Sequence, residues 1–170
     1  MKKIIVTLLL SLFAFATLHA DSDVEQSYKK TINTFKFSKR AGPFFKTCYG
    51  YAVFPTVGKG GFGIGGAHGK GRVYIKGKYV ADTTLSQLSF GFQAGGQAFS
   101  QIMFFENANA FSTYKTGNFE LGAQATAVAI TSGIGANVDY DKGIAIFTAA
   151  KGGLMYEATV AGQKFTYDPK

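Results

Sequence analysis

Residues 58–72, GKGGFGIGGAHGKGR, combine glycine with basic side chains, which is the composition of loops that cradle phosphate groups. Gly61, Gly63 and Gly66 have the GxGxxG spacing of dinucleotide-binding loops. Such a loop holds a pyrophosphate at the N-terminus of a following helix, but the residues that follow here, AHGKGRVYIKG, are typical of a strand. The GKS or GKT end of the other common phosphate loop is replaced by GKG. We therefore expect no nucleotide, and we predict that the glycines serve turns and close packing while their basic neighbours belong to a diffuse basic face.

The remaining polar residues do not have the spacing of a metal or catalytic site. His68 is the only histidine after residue 20, and no cysteine or carboxylate stands near it in the sequence, so the spacing of metal ligands is missing. No motif resembles the nucleophile elbow of hydrolases. Asp139 and Asp141, in NVDYDKG, are interpreted as parts of a turn. We expect a protein that is not an enzyme and that needs no cofactor.

Charge is the most informative property of the composition. The chain has 18 basic and 10 acidic residues, for a net charge of +8, and the two signs are segregated. From residue 26 to residue 81 there are eleven basic residues and no acid. Such segregation favours a polyanionic partner, namely a phospholipid surface, a polysaccharide or nucleic acid. A solubilising surface is the alternative.

Residues 1–20 have the pattern of a secretory signal peptide, because a short basic start precedes an apolar run and small residues precede the acidic DSDVE. We predict cleavage after Ala20, with an uncleaved anchor as the alternative. The mature protein would be exported, and either periplasmic, peripherally membrane-associated or secreted, which argues against a nucleic-acid partner. It divides into a helical segment, 21–47, and a β domain, 48–170. Cys48 is the only cysteine, so an internal disulfide is excluded.

Residues 24–40 have the apolar period of a helix. Val24, Tyr28, Ile32 and Phe35 follow one another at spacings of four, four and three, which places them on one face. Lysine and arginine occupy much of the remaining surface. Two interpretations stay open: a basic amphipathic helix that lies on an anionic membrane, or a helix that covers a sheet and keeps its lysines in water.

After residue 48 the sequence changes to short β-like runs separated by glycine. GRVYIKGKYVA predicts a hairpin, and the alternation along 88–104 predicts a long strand that bends at Gly95-Gly96. ENANAFSTYKTG, 106–117, predicts a short helix with a glycine stop. With roughly eight strands joined by short connections, the predicted fold is mainly β (α+β). It is an antiparallel, glycine-rich twisted sheet or partly closed barrel, with an N-terminal amphipathic helix and one short internal helix.

Three stretches make the chain from about residue 48 to its end similar to the SYLF domain, a lipid-binding domain also described as an actin-regulator domain. They are GYAVFPTVGKGGFGIGGAHGKG, LSFGFQAGGQ and KGGLMYEATVAGQKFTYDP. The resemblance implies membrane binding through basic residues and an N-terminal amphipathic segment, with phosphoinositide recognition in eukaryotic members. This chain departs from those members, since Tyr79 is the nearest match to their tryptophan and AFS replaces Thr-Asp after GGQ. Actin is not an expected partner of an exported bacterial member.

We therefore expect an exported protein that binds anionic phospholipid headgroups through a basic face. Phe35 or Phe37 would add apolar insertion into the membrane. The alternatives are a small integral outer-membrane β-barrel, which the alternation along 88–104 also fits, and a surface structural or interaction protein. The basic residues expected to contact lipid are Lys29, Lys30, Lys36, Lys39, Arg40, Lys59, Lys70, Arg72, Lys76 and Lys78.

Overall fold

The computed structural model describes most of the chain after the predicted signal peptide, which itself lies outside the described residues together with its cleavage site. The described ranges are 21–117, 119–122, 126–130, 139–151, 157–160 and 162–170. The backbone alone is described along 62–64, 89–96, 126 and 157–159.

These residues form three helices and eight strands. The helices are α1, 21–36; α2, Phe44–Thr47; and α3, Ala108–Tyr114. The strands are β1, Gly50–Ile75; β2, Lys78–Phe105; β3, Phe119–Glu120; β4, Thr126–Ala129; β5, Ile144–Lys151; β6, Glu157–Thr159; β7, Lys164–Phe165; and β8, Asp168–Pro169.

One antiparallel hairpin, made of β1 and β2, is the frame of the fold. The two strands are 26 and 28 residues long and pair along nearly their whole length. Their connection, Lys76-Gly77, has φ angles of 49° and 77°, the left-handed pair that a type I′ hairpin turn requires. The hairpin predicted from GRVYIKGKYVA is confirmed. Lys142-Gly143 repeats the same geometry before β5, with φ angles of 51° and 81°, which confirms the turn predicted in NVDYDKG.

The hairpin is irregular near its middle, where the strand pairing shifts. Gly61 pairs with Gly95 and Gly63 pairs with Gly91, so one residue of β1 lies opposite three of β2. Extra residues on one strand make a bulge, which bends both strands. The bend was predicted at Gly95-Gly96, and the irregularity lies directly before these glycines, between Gly91 and Gly95. However, β1 runs unbroken through 58–72, so the prediction of turns between strands in this stretch is wrong.

The bend folds the two halves of β1 onto each other, and glycine permits the contact. A Cβ atom on Gly71 would lie 2.5 Å from a ring carbon of Phe54 and 2.8 Å from the carbonyl oxygen of Val53. A Cβ atom on Gly69 would lie 2.9 Å from Cγ2 of Val57. Real Cβ atoms do not approach other atoms so closely. The close-packing role predicted for glycines of 58–72 is thus confirmed at these two positions.

The other strands extend the sheet from the opposite edge of β2. β5 pairs with one end of β2, and β7 and β8 pair with the other end. β4 is parallel to β5, while β6 and β3 add antiparallel pairs. The whole sheet curls into a half-barrel. The predicted mainly β fold with a partly closed barrel is confirmed, with β4 and β5 as a parallel exception.

Two apolar clusters pack against the two faces of this curled sheet. The two halves of β1 meet on the face that carries Phe54, so this face is concave, and we call its cluster the inner cluster. Tyr114 of α3 and Phe165 of β7 also belong to it. The outer cluster lies on the other face, beneath α1, and includes Phe35 and Phe147.

The helices have the residues that their positions require. Tyr28 and Phe35, on the predicted apolar face of α1, are buried, whereas Val24 is half exposed. α1 ends at residue 36, earlier than the predicted end at 40. Asn107 caps α3, because its side-chain oxygen accepts from two backbone N–H groups of the first turn, both at 3.0 Å. Gly117 follows α3 with a φ of 74°, so the predicted short helix with a glycine stop is confirmed.

Candidate lipid-binding surface

A row of basic side chains lies along the outer surface of α1 and the turn after it. Lys29, Lys30, Lys36 and Lys39 are exposed, and Arg40 is partly buried. The apolar side of the helix packs on the outer cluster at the same time. The structure therefore shows α1 as a cover of the sheet whose lysines extend into solvent.

The two phenylalanines predicted to insert into lipid have opposite environments. Phe35 has none of its surface exposed and belongs to the outer cluster, whereas Phe37 is 84% exposed. While α1 is docked, Phe35 is therefore not accessible to a membrane, and its predicted insertion does not fit its burial. Phe37, directly after the helix and next to exposed Lys36, is accessible to a lipid surface.

The basic residues along β1 lie on different faces of the sheet. Lys59 pairs with Gln97 and follows Val57 by two residues. Because Val57 belongs to the inner cluster and side chains alternate along a strand, Lys59 lies on the concave side, away from α1. Lys70 and Arg72 lie on the opposite, convex face. The predicted convergence of all these basic residues on one face is therefore only partial.

The hairpin turn carries two further lysines, Lys76 and Lys78, and both are exposed. The turn lies close to the beginning of β1, because the rings of Tyr74 and Tyr51 stack with centroids 5.2 Å apart. Tyr51 also packs against the outer cluster. The turn therefore lies near the edge of the surface that α1 covers.

Lys151, at the end of β5, is a basic residue near α1 that sequence analysis did not assign to this surface. Its Nζ atom donates to Oγ1 of Thr56 at 2.6 Å. Partial burial, and after it the positive charge of Lys30, lowers the pKa of Lys151. An anion placed beside Lys151 would offset this effect of the Lys30 charge. The one sequence signal was its KGG triplet, of which residues 152 and 153 lie outside the described residues.

Arg72 has a different environment from the lysines, because it is already paired. Its Nη1 atom donates to Oε2 of Glu25, on α1, at 2.6 Å. The rings of Tyr28 and Tyr79 lie over the guanidinium, with centroids 4.3 and 4.6 Å from Cζ. The hydrogen bond from Arg72 is the main cause that lowers the pKa of the Glu25 carboxyl. Arg72 therefore attaches α1 to the second half of β1.

Lys170, after β8, joins the same cluster. Nζ of Lys170 lies 3.2 Å from Oδ2 of Asp82 and 5.1 Å from the ring centroid of Tyr79. The hydroxyl of Tyr79 donates to the same carboxylate. Since Asp82 pairs with Arg72 across the hairpin, the cluster connects α1, both long strands and Lys170.

A neutral polar network lies inside the half-barrel. Gln101 Nε2 donates to Gln163 Oε1 at 2.8 Å, and Gln163 Nε2 reaches the side-chain oxygens of Gln101 and Gln87 at 3.2 and 3.4 Å. All three side chains are buried. Thr148 pairs with Gln101 in the sheet, and its buried hydroxyl has no hydrogen-bond partner among the described residues. None of these groups titrates near neutral pH, so the network supplies hydrogen bonds but no general acid or base.

The described residues contain neither a membrane-spanning helix nor a cluster of metal ligands. No helix among them is long and apolar enough to cross a membrane. Across the same ranges, no three His, Cys, Asp or Glu side chains come together in a way that would hold a metal ion.

A family model and a curated protein match this chain. The model of the family Ysc84, described as Las17-binding protein actin regulator, matches residues 86–170. Among curated proteins, the chain is similar to Beta cell expansion factor A of Aeromonas veronii, with 27% identity over 139 residues. The alignment covers 81% of this chain and 52% of that protein, so the chain spans about half the length of the curated relative it matches.

Proposed function

Because the chain belongs to the Ysc84 family, whose domain is the SYLF domain, we propose that it is a non-enzymatic protein that binds anionic phospholipid membranes. The observation that carries this proposal is the row of exposed lysines along α1, which ends beside the exposed ring of Phe37. Each basic side chain near an anionic surface contributes about 1 kcal/mol before screening. Several lysines on one helix therefore supply enough attraction for reversible binding at modest salt.

The burial of the apolar side of α1 determines which contacts a membrane would meet first. Lys29, Lys30, Lys36 and Lys39 would lie at headgroup level, and Lys151 beside Lys30 would add a fifth cation. Phe37 would place its ring at the interface, where aromatic side chains are favourable. The protein would then bind peripherally, through its convex face, with the half-barrel outside the lipid.

The predicted export limits the choice of partners. A signal peptide over residues 1–20 would place the protein in the periplasm or outside the cell, where phospholipid surfaces are among the polyanions that it would meet. The family description names Las17 binding and actin regulation, but an exported bacterial protein would not meet actin. We therefore propose a lipid surface as the partner, and neither actin nor nucleic acid.

Vesicle flotation tests the proposal. The full chain should float with phosphatidylcholine vesicles that contain phosphatidylglycerol and should remain unbound with pure phosphatidylcholine vesicles. Binding should fall as salt rises, because salt screens exposed charges. Equal binding to both kinds of vesicle, or binding that high salt does not weaken, would contradict an electrostatic membrane contact.

Two variants with the same net charge separate the α1 surface from charge in general. Replacement of Lys30 and Lys36 by Gln should weaken binding about tenfold, since two headgroup contacts of about 1 kcal/mol each are lost and partly screened. Replacement of Lys115 and Lys142, which are exposed on other parts of the chain, should change it less than about twofold. Phe37→Ala should weaken binding at all salt concentrations. Equal losses in the two lysine variants would show that α1 is not the contact surface.

A further inference from the structure

Arg72 lies at the junction between α1 and the second half of β1, and its partner there is a carboxylate. Oε2 of Glu25 accepts from its Nη1 at 2.6 Å, and Tyr28 lies over the guanidinium. Both partners belong to α1. We infer that Arg72 is the centre of a phosphate-binding site, that Glu25 occupies this site in the free protein, and that a lipid headgroup phosphate replaces Glu25 and releases the first turns of α1. The inference rests on the proposed membrane binding and names the group that the membrane engages.

The surroundings of Arg72 are suited to an anion at the edge of the guanidinium. The ring of Tyr79, on β2, lies over the guanidinium with its centroid 4.6 Å from Cζ, a contact that does not depend on α1, and the N–H group that Glu25 leaves is then available to an oxygen ligand. A guanidinium offers these donors in a fork that matches phosphate as well as carboxylate. Lys70, exposed and two residues earlier on the same face of β1, supplies a second positive charge. With 17% of its side chain exposed, Arg72 accepts a phosphate once Glu25 has left.

Among the described residues, one other acid lies near Arg72, and its charge is already offset. Asp82 pairs with Arg72 across the hairpin. Its carboxylate accepts from the hydroxyl of Tyr79 and lies 3.2 Å from Nζ of Lys170. These partners offset its charge and hold it in place, so Glu25 is the acid that a phosphate has to replace.

The position of Glu25 on the helix allows a partial release of α1. Its side chain is 47% exposed, and it lies in the second turn of the helical range 21–36. Phe35, near the other end, is fully buried in the outer cluster. Residues 21–28 can therefore leave the sheet while the later turns stay docked. On a membrane, the released turns would present Val24 and Tyr28 to the lipid interface, as amphipathic helices do.

Amide hydrogen exchange of residues 21–28 tests the release without a membrane. In the full chain, exchange should be about three- to tenfold faster in inorganic phosphate than in chloride at equal ionic strength, the range expected for loss of one charge-assisted contact. Glu25→Gln should exchange faster even in chloride, because the charged partner is lost. Asp23→Asn removes the same charge from an exposed side chain of the same helix, and should leave exchange unchanged. Exchange that is insensitive to phosphate would overturn the site, and the wild-type chain alone decides this if Glu25→Gln does not fold.

Binding to phosphatidylglycerol vesicles tests the lipid part of the inference. Glu25→Gln should bind about three- to tenfold more tightly than Asp23→Asn, although both variants have the same net charge. An equal gain in the two variants would show an effect of charge alone and would overturn the inference. Absence of vesicle binding in the wild-type chain would instead refute the proposed function. If exchange were still faster in phosphate, the site would bind free phosphate, and its assignment to a lipid headgroup would be wrong.

Discussion

Replacement of Gly71 by alanine tests the contact that closes the half-barrel. The added Cβ would lie 2.5 and 2.6 Å from two ring carbons of Phe54 and 2.8 Å from the carbonyl oxygen of Val53. Phe54 is fully buried, and its ring centroid lies 5.7 Å from that of Phe165, so the ring has little space into which it can turn. Gly71→Ala should therefore push the two halves of β1 apart.

The expected loss of folding stability in Gly71→Ala follows from the cost of overpacking a core. An extra methyl group in a packed core costs about 1–3 kcal/mol, and we expect the upper end because a backbone oxygen is part of the clash. Gly58→Ala is the matched control, since it makes the same change in the same strand where a Cβ would meet no atom of the described residues within 4 Å. Alanine there restricts the unfolded chain, so it should be neutral or stabilise by up to about 1 kcal/mol. The two variants should differ by about 3 kcal/mol.

Equilibrium unfolding in urea measures this difference. With a denaturant slope of about 1–3 kcal/mol per molar urea, the two midpoints should lie about 1–3 M apart. Phe54→Leu should recover part of the loss in Gly71→Ala, because a smaller side chain relieves the clash, and a double-mutant cycle would measure this coupling. Equal midpoints for the two alanine variants, or full additivity with Phe54→Leu, would refute the close contact.

Three further predictions concern the packing around the sheet. Phe35→Ala should lower the free energy of unfolding by about 3–5 kcal/mol, whereas Phe37→Ala should change it by less than about 0.5 kcal/mol; similar losses in urea unfolding would contradict the assigned burial. Thr148→Val should be neutral or stabilise the protein by about 1 kcal/mol in the same measurement, since it removes a buried hydroxyl that has no partner within the described ranges; a clear loss would indicate a partner elsewhere in the chain. Burial raises the pKa of Tyr28 and of Tyr51 from 10.0 to about 12, so the folded state holds these protons more tightly and stability should fall as pH rises from 10 towards 12. Tyrosinate absorbance should therefore grow in two stages, and a single stage near pH 10 in the folded protein would contradict this.

Local signals in the sequence predicted the elements that depend on local chemistry. The type I′ turn at Lys76-Gly77 follows from a lysine and a glycine between alternating runs. The N-terminal helix follows from the apolar period that ends at Phe35, and α3 follows from Asn107 and the later glycine stop. In each case residues within a few positions of one another provide the stabilising contacts, so no knowledge of distant neighbours was needed.

The features that the sequence analysis missed depend on contacts between distant residues. The glycines of 58–72 predicted turns, but β1 continues through them and folds back on its own first half. Only the approach of Phe54 to Gly71 shows why glycine is required there. Arg72 was counted with the lysines, yet Glu25, 47 positions earlier in the chain, holds it. Charge in the sequence shows that a residue is basic, and its partner becomes visible only in the folded chain.

A docked α1 gives the two proposed modes of membrane contact different salt dependences. With the helix docked, binding depends mainly on exposed lysines. Salt weakens this binding, because it screens charges that lie more than a Debye length apart, about 8 Å at physiological ionic strength. If phosphate displaces Glu25, Val24 and Tyr28 reach the interface, and the burial of their apolar surface contributes a free energy that salt does not screen. The fraction of protein that stays bound at high salt should then be larger in Glu25→Gln than in Asp23→Asn. The same fraction should fall in Phe37→Ala, because in both modes Phe37 is the exposed ring next to the lysines.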